Sequence, residues 1–236
     1  FAELNPRNLI TIEILFLIIN MGSIAGYCRK YGTACLDDLC LGDKLLRRRI
    51  LSIFPNALTV MNALMGVLAI FFAHQGRIKE AYLILLGAAF FDKLDGAVAR
   101  RLGLTTPLTN QIKNKYQITL GGILDDISDT VSFCIAPALI FYMLMERFAS
   151  KVNESLPYTW VAVVYAVLGV IRLIFFILDR KNIPGFFKGL PVPAAALLVS
   201  APLIILDLAL DEGSSLLIFW GKLSFWLMIV TTILMN

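Results

Sequence analysis

Four aspartates lie within stretches otherwise apolar enough to cross a membrane: Asp92 and Asp95 in one, Asp125 and Asp129 in the next. An ionised carboxylate in hydrocarbon costs at least a few kcal/mol, so each needs a partner. No nearby set of Lys or Arg is large enough to neutralise them. Divalent cations are the chemical solution, because hard metals take oxygen ligands and several carboxylates can share two of them. The spacing gathers the acids. Asp92, Asp95, Gly96 and Ala99 fall at i, i+3, i+4 and i+7, one stripe of a helix. Gly121, Asp125 and Asp129 fall at i, i+4 and i+8, again one stripe. Two metals about 3.5–4 Å apart form a clamp suited to displacement at phosphorus. Gly96, Ala99 and Gly121 are small enough to let a helix backbone or a bulky ligand approach. Arg100 can pair with phosphate.

Helices in lipid must position these groups. The chain has 236 residues, 58% of them hydrophobic and 16% charged, against about 25% charged in soluble domains. That composition predicts an all-α, polytopic transmembrane bundle and leaves no room for a separate soluble catalytic domain. Apolar stretches run at about 8–27, 54–74, 80–102, 118–146, 157–178, 189–208 and 214–234, each near the ~20 residues that a bilayer requires. The first carries Glu13 and Asn20 and is the weakest. It is not read as a signal peptide, because it lacks a small-residue cleavage site and basic residues follow it. The chain opens with Phe1 rather than Met, so an upstream segment is expected. Before the second stretch, DDLCLGDKLLRRRILSIF reads as an amphipathic helix on an anionic membrane surface. The expected domains are 1–43, an extra span with its linker, and 44–236, a six-span core behind the surface helix. Cys28, Cys35, Cys40 and Cys134 form no zinc signature.

Loop charge orients the bundle. Lys44, Arg47, Arg48, Arg49, Arg100, Arg101, Lys113, Lys115, Arg180, Lys181 and Lys188 would lie on one side, and only Arg77, Lys79, Arg147 and Lys151 on the other. The positive-inside rule puts the 100–117 and 179–188 loops in the cytoplasm. From a helix end near 102, Asp95 and Asp92 lie roughly 10 and 15 Å deep. From a start near 118, Asp125 and Asp129 lie at roughly 10 and 16 Å. The two pairs come level in a site open to the cytoplasm.

The full pattern, Asp92-x2-Asp95-Gly96-x2-Ala99-Arg100 followed by Gly121-x3-Asp125-x3-Asp129, resembles the signature of the CDP-alcohol phosphotransferase family. These are integral membrane enzymes that make phospholipids from CDP-linked donors. The resemblance implies a six-span core and two divalent cations, Mg or Mn, on Asp92, Asp95, Asp125 and Asp129. It makes Asp129 also the general base, and has Gly96, Ala99, Arg100 and Gly121 line the CDP site. The spacer between Arg100 and Gly121 is longer than the family usually carries, which bears on the acceptor more than on the chemistry. Asp126 is about 100° around the helix from Asp125 and reads as a residue that supports the metal ligands from behind or faces the loop. Upstream, PNALTVMN at 55–62 resembles the opening of the family's first core helix. There Pro55 suits the first helical position, and Asn56 and Thr59 can bond polar ligand groups. Asn56 reads equally well as a helix cap.

SDTVSFCIAPALIFY and GLPVPAAA look like the phosphatidylserine synthase branch. That implies phosphatidyl transfer from CDP-diacylglycerol to L-serine, with phosphatidylserine and CMP as products. A serine carboxylate needs a cationic partner, and Arg172 is the deepest Arg, with Lys188 at the mouth and Ser132 a further contact. Arg172 could instead snorkel to the interface. Phe175 and Ile177 stand where that branch often has a second Arg and an Asn. Inositol phosphate, glycerol phosphate, inositol or choline remain alternative acceptors. An ion or proton transporter is the rival from another class, though it gives Gly96 and Arg100 no reason to sit at those offsets. His74, the only histidine, lies far from the acids, and Trp160, Trp220, Trp226 and Tyr158 read as interfacial or lipid-facing. The basic residues suit anionic lipid rather than nucleic acid. The family is often dimeric, and the sequence carries no interface signature.

Overall fold

The computed structural model describes residues 43–104, 120–153, 155–178, 189–213 and 215–235, together with scattered positions between 16 and 41. Its contacts divide the chain into two compact units, Phe1–Leu51 and Ser52–Asn236. The expected 8–27 span, most of the long 101–120 loop and Lys188 lie outside the described residues.

The helices are α1 (Lys44–His74), α2 (Ile78–Arg101), α3 (Leu120–Asp129), α4 (Ala136–Val152), α5 (Tyr158–Leu178), α6 (Val192–Glu212) and α7 (Leu217–Met235). A π-helical segment, Thr130–Ile135, joins α3 to α4 without a break, so the pair forms one span. Among the described residues five spans are long and apolar enough to cross a bilayer: Leu45–His74, Gly121–Val152, Tyr158–Phe175, Val192–Glu212 and Leu217–Met235. The sixth element, α2, has 24 residues, about 36 Å of helix. Its apolar run is broken by Asp92, Lys93 and Asp95. The chain is an integral membrane protein built as a helical bundle.

Periodicity explains the packing. Buried positions in α1 are Pro55, Thr59, Asn62, Gly66, Ala69 and Ala73, steps of three and four that keep one face inward. In α2 the buried row Ile78, Ala81, Leu85 and Ala88 continues through Asp92 to Asp95. The inward rows are rich in alanine and glycine, which bring backbones close where no hydrophobic effect separates helix from lipid. The opposite faces carry Phe54, Leu64, Phe71, Leu83, Phe90 and Trp160, all exposed, as lipid-facing side chains should be. Helix α6 packs on α2, α4 and α7, and α5 on α4, α7 and the π segment.

Two local features differ from the sequence reading. Pro55 is not at the first helical position: α1 starts at Lys44 and runs through it. The basic turn and the first core span are therefore one helix, and Asn56 caps nothing. A proline removes one main-chain bond, here the one to Leu51, and membrane helices tolerate such breaks. The π segment was also not anticipated. Pro137 has no N–H to offer the Phe133 carbonyl, and the fully buried Tyr165 hydroxyl donates to that carbonyl at 3.2 Å instead.

Candidate active site

The acidic stripes converge. Asp92 of α2 and Asp125 and Asp129 of α3 each present a carboxylate oxygen within 4.8 Å of the others'. Two oxygens on one hard cation, each at about 2.0–2.6 Å, have a similar span. All three residues are half-buried, and among the described residues none of the four aspartates forms an ion pair with Lys or Arg. Asp125 Oδ1 is buried with no hydrogen-bond partner. An unpartnered, buried anionic oxygen beside two further carboxylates is costly without a cation, so the residues present fit a divalent metal.

Asp95 stands slightly apart from the trio. It is 6% exposed, and its Oδ2 accepts a hydrogen bond from Thr59 Oγ1 at 2.8 Å. The same hydroxyl lies 3.0 Å from the Pro55 carbonyl. Thr59, expected to touch the ligand, is thus only 4% exposed and engaged with an acid.

Helix α1 holds both acidic helices. Asn62 Nδ2 donates to Asp129 Oδ1 at 3.1 Å. Ser128 Oγ donates to the Thr59 carbonyl and Ser132 Oγ to the Asn62 carbonyl, each at 2.8 Å. Ser132 is fully buried in this role, a helix-to-helix contact. Asn62 is the residue that sequence reasoning missed, although it lies within the PNALTVMN segment. The available signal was a lone amide on the inward stripe of an apolar helix.

On the rim, a Cβ built on Gly96 would meet only Arg100 Nη1, at 3.4 Å. Arg100 is exposed and Ala99 half-buried, so the Gly96–Ala99–Arg100 face has room for a ligand. Gly121 sits against α1, where a Cβ would come 2.9 Å from Asn56 Oδ1. Asn56 is half-buried. Arg172 bonds the Met235 carbonyl at the end of α7. Gly189, at φ +81°, is packed between the two, with room for no side chain: a Cβ there would lie 2.8 Å from that carbonyl and 2.9 Å from Arg172 Nη1. Leu190 N bonds the Leu234 carbonyl at 2.9 Å, which pins the start of α6 to the same end. Asp126 is half-buried, and its main-chain carbonyl accepts from Thr130. His74 is exposed.

Comparison with known proteins bears on this arrangement. The chain is 33% identical over 186 residues to a CDP-diacylglycerol--serine O-phosphatidyltransferase of Mycobacterium tuberculosis, covering 75% of this chain and 56% of that protein. A Helicobacter pylori protein of the same name is 32% identical over 150 residues, 63% of this chain and 56% of that one. An archaetidylserine synthase of Methanothermobacter thermautotrophicus is 31% identical over 153 residues, 62% of this chain and 56% of that one. The chain thus spans little more than half the length of these relatives. No solved structure matches it. The family described as CDP-alcohol phosphatidyltransferase matches residues 52–235, a stretch that contains all four aspartates, and the chain belongs to that family.

Proposed function

We propose that this protein transfers the phosphatidyl group of CDP-diacylglycerol to the hydroxyl of L-serine, giving phosphatidylserine and CMP. The observation that carries this reading is the carboxylate trio of Asp92, Asp125 and Asp129, with one buried oxygen unpartnered, beside the open face at Gly96. The names of the similar proteins support the choice of donor and acceptor. Two divalent cations, Mg or Mn, would be held by Asp92, Asp95, Asp125 and Asp129. When bound, they supply charge stabilisation for phosphoryl oxygens and for the departing CMP.

The remaining chemistry belongs to the chain. Gly96, Ala99 and Arg100, with Asn56 and Gly121 opposite, would line the nucleotide, Arg100 pairing with its phosphates. Thr59 would act from behind, through Asp95. Asp129 would take the proton of the serine hydroxyl. The serine oxygen would then bond the lipid-side phosphorus as the bond from that phosphorus to the CMP oxygen breaks. Arg172 and Lys188 are the proposed acceptor contacts; Ser132, expected from the sequence to join them, is fully buried against the Asn62 carbonyl and holds helices together instead. Arg172 would reach a serine carboxylate from α5, beside the end of α7. Residues 44–236 would form the catalytic domain, with its site facing the cytoplasm as the loop charges favour.

The test is a panel of radiolabelled acceptors (serine, inositol, inositol phosphate, glycerol phosphate, choline) with purified protein, CDP-diacylglycerol and Mn or Mg. Serine-dependent, chelator-sensitive CMP release is expected. Release with another acceptor would replace serine, and no metal-dependent release with any would remove the transferase reading. Because one relative is named an archaetidylserine synthase, a CDP-linked ether lipid belongs in the same panel as the competing donor.

A further inference from the structure

Asn62 lies in the middle of α1 with no exposed surface, on the stripe that faces the acidic helices. An amide among apolar side chains is unfavourable unless its polar atoms are bonded. Its Nδ2 donates to Asp129 Oδ1 at 3.1 Å across 67 residues of sequence. Its main-chain carbonyl accepts the Ser132 hydroxyl at 2.8 Å, across 70 residues. One α1 residue therefore grips the acidic span both at Asp129 and just beyond it. Its own Oδ1 is buried without a partner.

We infer that Asn62 is a positioning residue for Asp129. The amide N–H fixes the rotation of the Asp129 carboxylate, and with it where its oxygens stand relative to those of Asp92 and Asp125. A cationic donor could hold the same carboxylate but would cancel the charge that a metal needs. A neutral amide orients the acid and leaves its charge in place. The hydroxyl of Thr59 stands in the same relation to Asp95. This inference rests on the proposed reading of Asp129 as a metal ligand and base.

Two variants separate orientation from packing. Asn62→Leu keeps the branched shape, in a somewhat larger side chain, and removes the donor; Asn62→Ala removes both. In full-length protein in nanodiscs, Mn2+ is titrated and free Mn2+ is read by electron paramagnetic resonance. Both variants are expected to weaken Mn2+ binding to a similar extent, roughly 10–100-fold. Both should also lower kcat, with KM for CDP-diacylglycerol little changed. Wild-type Mn2+ affinity in both, or in the Leu variant with loss only in the Ala variant, would overturn the role in favour of packing. Failure of both variants to fold would overturn it too, by making the amide a folding element. If the wild-type protein bound no Mn2+, the metal reading itself would fall and this role with it, an outcome distinct from equal binding by all three.

Discussion

Gly66 packs directly on Ser132: a Cβ on Gly66 would run into the Ser132 side chain and lie 2.7 Å from the Ser132 Cα. This approach sets the distance between α1 and the acidic span, one turn from the Asn62 carbonyl that Ser132 bonds. Gly66→Ala should force the two backbones apart and destabilise the fold by about 1–3 kcal/mol. Thermal unfolding in detergent should show a lower midpoint, and CMP release should fall with it. An unchanged midpoint would mean that the contact is not tight.

Gly96 offers the contrast. A Cβ there meets only the flexible tip of Arg100, at an ordinary 3.4 Å, so the fold can accept a side chain. Gly96→Leu should remain folded, helped by about 0.5–1 kcal/mol from replacing a mid-helix glycine. It should nonetheless lose the thermal shift expected of the wild type with CDP-diacylglycerol under the proposed function. An intact ligand-induced shift would place the nucleotide elsewhere.

Asp129→Asn keeps the shape of the side chain and removes its ability to take a proton. Turnover should fall by about 10²–10⁴-fold, while binding of the CDP-linked donor stays measurable. Single-turnover assays with saturating Mn would separate the two effects. Near-normal turnover would exclude Asp129 as the base.

A separate cluster closes the far end of the bundle. Arg147 of α4 bonds Asp207 at 2.8 Å and Asp211 at 3.2 Å, both on α6, and Lys151 bonds the Leu210 carbonyl. Asp207 is 6% exposed, so Arg147→Ala would strand a buried carboxylate and cost about 1–3 kcal/mol. The half-exposed arginine keeps the figure from being larger. Asp207→Asn removes the charge as well and should cost less. Arg147 lies 18 positions beyond Asp129 in sequence, about 25 Å along the span. Both variants should therefore shift the unfolding midpoint and leave KM for the donor alone. A changed KM would show that the two ends are coupled.

Much of the site was legible before any coordinates. Helical spacing of 3.6 residues per turn is a local property, so Asp92 and Asp95 had to share a stripe, as did Asp125 and Asp129. Distances from the helix ends, at 1.5 Å per residue, then put the pairs level. The α1 segment was read less well. Pro55 resembled a helix start because proline favours that place, yet the good helix formers on both sides carried the helix through it. Asn62 went unnoticed although it lies three positions after Thr59 on the same stripe, because the sequence alone does not show which acid an amide meets.

What the residues determined alone was the bundle, its apolar faces and the identity of the acids, since hydrophobicity and helical period act within one segment. Tertiary structure decided which oxygen meets which donor: Thr59 against Asp95, Asn62 against Asp129, and an Asp125 oxygen left bare. Those pairings depend on distances between helices far apart in the chain, set by close contacts such as Gly66 on Ser132 and by the π turn after Asp129. Such distances arise only when separate helices pack, and no local pattern encodes them.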